Sequence, residues 1–144
     1  MSKSAPLIYE NVFSKSPEQT ITAQKRQTGM GALLWDEGRT TRMEGKTVFV
    51  GTKLRVEADL YEVIDGMRLI SGKTIKIYHR LDTGAWEVIF NGTENAPDLG
   101  GGWYKVFYTL AKAGVHTFYA EFLGDEEYAG CKKAVRAFAK CRVC

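Results

Sequence analysis

The sequence predicts an all-β fold, two sheets stacked as a sandwich behind an extended N-terminal arm. Three observations carry that expectation. Residues 53–61 alternate strictly, with Leu54, Val56, Ala58 and Leu60 on one side and Lys53, Arg55, Glu57 and Asp59 on the other, which is the period-two pattern of a strand with one buried face. Residues 115–122 repeat it, His116, Phe118, Ala120 and Phe122 facing inward and Val115, Thr117, Tyr119 and Glu121 outward. Between such runs lie Gly, Asp, Asn and Pro clusters, and no stretch keeps a helical period.

Residues 1–38 lack a clean period and are read as an extended arm, although 19–27 suit a polar strand and 31–35 a short apolar one. Leu7, Ile8, Tyr9, Val12 and Phe13 give the arm apolar contacts to offer to its own domain or to a neighbour. The domain proper is placed at 39–140. Residues 47–50 form a short strand, Gly51-Thr52 a turn, and 53–61 the long alternating strand. A loop with Asp65-Gly66 and Ser71-Gly72 leads to a strand at 73–79 carrying Ile75 and Ile77. After a turn at 81–85, Trp86, Val88 and Phe90 share one face of the next strand. Residues 91–102 form a polar loop, flexible by composition, with three consecutive glycines at its end.

Residues 103–110 need cover on both faces: Tyr104, Val106, Tyr108 and Leu110 point one way, Trp103 and Phe107 the other. One face belongs to the core, and the other is assigned to the arm or another subunit, so Trp103 and Phe107 join the assembly contacts. The strand at 115–122 ends where Gly124 tolerates positive φ and Asp125 can bond its own turn. Residues 132–140 close the sandwich as a final strand, at least in their first half, although Ala, Lys and Arg favour helix. Residues 141–144 are a cysteine-containing tail. About seven short strands in this order indicate an immunoglobulin-like β-sandwich.

The composition suits that fold and narrows the function. In 144 residues there is room for one core, and seven Phe, seven Tyr and three Trp are typical of a β-rich protein. Twenty Lys and Arg against 17 Asp and Glu, a net charge of +3, is too even to indicate a nucleic-acid partner. After Glu127, however, Lys132, Lys133, Arg136, Lys140 and Arg142 stand without an acidic residue among them. No apolar run is long enough for a signal-peptide core near the start or for a membrane span anywhere.

No pattern of catalytic residues emerges, so the reading is non-enzymatic and without a cofactor. A Gly-x-Ser-x-Gly turn is absent, and Gly100-Gly101-Gly102 lacks the Lys-Ser/Thr of a phosphate loop. Cys141 and Cys144 have the spacing of half a zinc site, and Cys131 could supply a third ligand, but a fourth is missing. An odd cysteine count without a secretory signal argues against a disulfide scaffold. Asp125, Glu126 and Glu127 read as a solvated corner rather than a calcium loop, and His116 as a satisfied core histidine. Trp103 and Tyr104 beside the glycine loop form the candidate sugar-stacking pair.

Residues 48–56 (Val-Phe-Val-Gly-Thr-Lys-Leu-Arg-Val), Leu60, Asp65-Gly66, residues 72–78 (Gly-Lys-Thr-Ile-Lys-Ile-Tyr), Gly84-Ala85-Trp86, Ala113-Gly114 and Phe122-Leu-Gly-Asp-Glu-Glu-Tyr128 resemble the bacterial and archaeal immunoglobulin-like repeats of surface and virion proteins. The resemblance spans about residues 40–138 and departs where His116 replaces the Tyr those repeats commonly carry. Such repeats usually stand in tandem behind a signal peptide; here one copy stands between an arm and a tail. A lone domain of this kind resembles virion decoration or accessory proteins. The resemblance implies a structural role on protein subunits of a larger assembly, as a homo-oligomer or in a hetero-complex, located in the virion or otherwise the cytoplasm. The alternatives are a glycan-binding or adhesion module using Trp103 and Tyr104, and a zinc-dependent interaction domain.

Overall fold

The alternation at 53–61 becomes the longest strand of the protein, and the first sheet is built on it. The computed structural model describes residues 24–64 and 66–142. Nine strands are present among them: β1 (Thr28–Asp36), β2 (Thr47–Phe49), β3 (Lys53–Val63), β4 (Met67–Leu69), β5 (Ile75–Leu81), β6 (Glu87–Gly92), β7 (Trp103–Thr109), β8 (Gly114–Phe122) and β9 (Cys131–Lys140). One edge of β3 pairs antiparallel with all of β1; its other edge is shared, β7 lying opposite residues 53–59 and β4 opposite 61–63. The second sheet has the order β2-β9-β8-β5-β6, antiparallel apart from the parallel pair β2–β9. The two sheets share one core, in which Leu34, Leu54, Leu60 and Tyr104 meet Ile75, Ile77, Phe118 and Phe122. No helix among the described residues is long and apolar enough to cross a membrane.

Four expectations change here. The domain begins before residue 39, because β1 is a core strand carrying buried Met30, Ala32 and Leu34. Its period is hidden in the sequence because the outward positions 29 and 31 are glycines rather than polar residues. Gly31 is needed there: the Asp59 carboxylate folds over it and accepts its N–H at 2.7 Å, in the space a Cβ would take. The strand count rises from about seven to nine, with β2 and β4 only three residues long. Trp86, Val88 and Phe90 do not share a face, since a bulge at Ile77/Tyr78 pairs Tyr78 with Val88 but Ile77 with Phe90. Ile89 and Phe90 therefore both reach the core while Val88 stays exposed. Finally, β9 is one strand throughout, because nine register pairs with β8 outweigh its residues' helix preference.

The corner after β8 follows from its sequence. Gly124 adopts φ of 92°, and a Cβ there would meet the Gly130 nitrogen at 2.8 Å. Asp125 accepts N–H bonds from Glu127 and Tyr128 and a 2.6 Å bond from the Lys73 ammonium. Lys73, with those backbone donors, holds the Asp125 carboxyl down to a pKa of about 2. The chain enters the domain at this corner, Arg26 N–H donating to the Glu127 carbonyl and Ala129 N–H to the Arg26 carbonyl. The polar loop before β7 is tied down by its side chains. Glu94 accepts the Gly72 N–H, and Asn95 bonds both the N–H and the carbonyl of Lys105.

Candidate interaction surface

Among the described residues, the outer face of the first sheet holds the largest group of apolar side chains left in water. In the β3–β4 hairpin, Tyr61 lies opposite Leu69 and Val63 opposite Met67, so these four share the face that β3 turns away from the core. Val63 is 53% exposed, Ile64 52%, Met67 74% and Leu69 45%. An exposed apolar cluster of this kind is a candidate contact surface. The registers Asp59↔Trp103 and Arg55↔Phe107 place both β7 aromatics on the same outer face. Trp103 is half-buried and Phe107 exposed, with the Lys53 ammonium 5.3 Å from the Phe107 ring centre. The sequence signal for the hairpin is its Asp65-Gly66 pair between apolar residues, a turn-forming dipeptide.

Beside the hairpin, two outward residues of β3, Arg55 and Glu57, are withdrawn from water. Glu57 is fully buried and Arg55 nearly so. Two oxygens of Glu57 take four donors: Trp35 Nε1 at 3.0 Å, Arg39 Nε at 2.6 Å, Arg39 Nη2 at 3.2 Å and Arg55 Nε at 2.6 Å. Arg39 reaches it from the turn after β1, in a left-handed conformation (φ 59°). That turn is held by Asp36, whose carboxylate accepts from the Thr40 hydroxyl and from the N–H groups of Thr40 and Thr41. These bonds, the Thr40 hydroxyl foremost, lower the Asp36 pKa. The Arg39 guanidinium also lies 4.5 Å over Trp35. Together they make a rigid floor next to the apolar hairpin.

A second polar group lies inside the sandwich. His79 Nδ1 is 2.8 Å from Glu87 Oε2, His79 Nε2 is 2.8 Å from His116 Nδ1, and His116 Nε2 is 2.8 Å from the Lys112 carbonyl. Tyr108 donates to the same Glu87 oxygen at 2.9 Å. The group borders a cavity of about 390 Å³ that Arg80 and Lys112 also line. Two neutral imidazoles supply two N–H protons for three contacts, so a third proton would complete the chain at the expense of a charge inside the protein. Burial wins, lowering the His79 pKa against the opposing pull of Glu87. Glu87, held by His79 and Tyr108, is lowered as well. The chain ends on a carbonyl that cannot pass a proton onward, so it orients two rings rather than relaying charge. Because the folded His79 pKa lies below that of the unfolded chain, stability is fully present above about pH 6.5 and declines as pH falls through the folded pKa. Urea denaturation between pH 7.5 and 5 is expected to show that decline, and His79→Gln to flatten it.

The residues expected to act are distributed unevenly over this structure. Leu7, Ile8, Tyr9, Val12 and Phe13 lie outside the described residues, while Trp103 and Phe107 come together on the hairpin's face. Tyr104 cannot stack on a ligand: it is fully buried on the opposite face from Trp103, its hydroxyl bonded to the Lys73 carbonyl at 2.7 Å, and burial raises its pKa. The proposed sugar-stacking pair is therefore dissolved by strand alternation itself. His116 is a satisfied core histidine. The three-cysteine zinc set also fails, since Cys141 is disulfide-bonded and Cys131 is a free thiol whose pKa burial raises; Cys144 lies outside the described residues. Among the described residues no three His, Cys, Asp or Glu side chains are placed to hold a metal ion. No protein-family model matches the chain, and no curated protein matches its sequence.

Proposed function

We propose that this protein is a non-enzymatic structural and interaction module of immunoglobulin-like topology, docking through the outer face of its first sheet. The observation that carries the reading is the set of exposed apolar residues Val63, Ile64, Met67 and Leu69 on one hairpin, continuous with the face that holds Trp103 and Phe107. The topology supports the finer fold assignment. Among the described residues β1 lies in the first sheet and β2 crosses to the second to run parallel with β9; β3 and β4 then return to the first, β5 and β6 lie in the second, β7 in the first, and β8 and β9 in the second. The partner proposed is a second copy of this chain, within a larger assembly of protein subunits. The assembly role proposed is that of a decoration or accessory protein of a virion, and the virion is the proposed location.

Light scattering of the full chain is expected to give a mass above the 16.1 kDa of one copy. The double substitution Val63→Ser, Met67→Ser is expected to return it to one copy with little change in stability, since both side chains are already in water. A monomeric wild-type protein, or an assembly that survives the double substitution, would contradict the reading.

A further inference from the structure

The outer face of the second sheet carries a groove of about 500 Å³, lined by Arg80, Trp86, Thr117, Tyr119, Lys132 and Lys133 among others. It is built by cross-strand packing. Tyr78 and Tyr119 are direct partners on β5 and β8, their rings stacked at 4.5 Å with 12° between planes. Trp86 meets Tyr119 edge-on at 4.8 Å, and the Arg80 guanidinium lies 4.4 Å from the Trp86 ring centre. The Lys132 ammonium is 5.9 Å from Tyr119.

The charge here is unbalanced. Among the described residues Arg80, Lys132 and Lys133 take part in no ion pair, and Arg80 Nε is buried without a hydrogen-bond partner. Glu121 is the acidic residue of this face, opposite Lys132 and Lys76 in the register but ion-paired with neither. An arginine held over an indole can still present its terminal N–H groups to a carboxylate, and loses little rotamer freedom in binding one.

We infer that this groove binds an acidic sugar, a pyranose ring bearing a carboxylate. Arg80 takes the carboxylate, with Lys132 adding positive potential. The exposed part of Trp86 packs against the C–H face of the ring, and the hydroxyls of Thr117 and Tyr119 are within the lining to meet sugar hydroxyls. Single-stranded nucleic acid fits less well, because successive bases need free aromatic faces, whereas Tyr78 and Tyr119 cover each other and Arg80 covers Trp86.

Titration calorimetry with tetragalacturonate and sialyllactose, each beside its methyl ester, tests this. At least one free acid is expected to bind with Kd below about 1 mM and its ester about tenfold more weakly. Lys132→Gln and Arg80→Gln are each expected to weaken the acid by about tenfold, and the exposed position of Lys132 keeps that variant folded. The Val63→Ser, Met67→Ser protein is expected to bind as wild type does, so this site stands or falls apart from the docking face. Failure of both acids to bind, equal binding of acid and ester, an unaffected Lys132→Gln variant, or tighter binding of an oligouridylate than of either sugar would overturn the inference.

Discussion

A chain lacking residues 1–36 is expected to be unfolded at room temperature, whereas one lacking residues 1–23 is expected to fold as the full chain does. The first deletion removes all of β1, and with it buried Met30, Ala32 and Leu34. Truncating one buried Leu or Met side chain to Ala costs about 2–5 kcal/mol, and a domain's whole stability is about 5–15 kcal/mol. Removing two such side chains, and uncovering the full edge of β3 that β1 pairs with, exhausts that margin. The shorter deletion spares every core contact described above and leaves Arg26 to close the corner beside Glu127. Far-UV circular dichroism and urea titration of the two chains measure the contrast. Cooperative unfolding of the 37–144 chain would show that β1 is dispensable.

Glu57→Ala is expected to destabilise the protein by about 3–5 kcal/mol, the usual cost of removing one partner from a buried ion pair. Arg55, Arg39 and the Trp35 indole N–H would then lose their common acceptor. Of the three, Arg55 is the one that cannot escape to water, being 9% exposed at its side chain and left with only a 3.4 Å contact to Asp98. Glu57→Gln is expected to cost less, because its amide oxygen still accepts from one arginine and its shape is kept. Urea unfolding of both variants reads the difference. If Ala and Gln cost the same small amount, under about 1 kcal/mol as for an exposed pair, the cluster is a surface feature and not a buried floor.

The strands that could be read from the sequence are those whose two faces differ in polarity. In β8, and in β3 as far as Leu60, every inward residue is apolar or histidine and the outward ones are mostly polar, so period two is visible by inspection. β1 has the same burial pattern, but glycine occupies its outward positions 29 and 31, and without polar residues there the pattern fades. The bulge in the β5–β6 pair hides in another way, since it slips the register by one residue without leaving a mark in the composition.

Sites were harder to read than strands because their partners come from distant parts of the chain. Glu57 looked like an ordinary outward carboxylate; its burial depends on Arg39, 18 residues earlier and held by a turn. His79 and His116 are 37 residues apart and meet only because β5 and β8 are neighbours. Trp103 and Tyr104 are adjacent in sequence and so fall on opposite faces of β7, while Trp86, just before β6, meets Tyr119 of β8. The hairpin at residues 61–69 was legible in principle from Asp65-Gly66, but its apolar flanks looked like ordinary loop ends until the register showed Tyr61, Val63, Met67 and Leu69 on one face.

Hydrogen exchange of the full chain at concentrations bracketing its association tests the docking face most directly. Backbone amides at residues 61–69 and 103–107 are expected to slow as copies associate, while those of β6 and β9 exchange at the same rate. Slowing confined to the second sheet, or absent everywhere, would contradict a role for the hairpin in assembly.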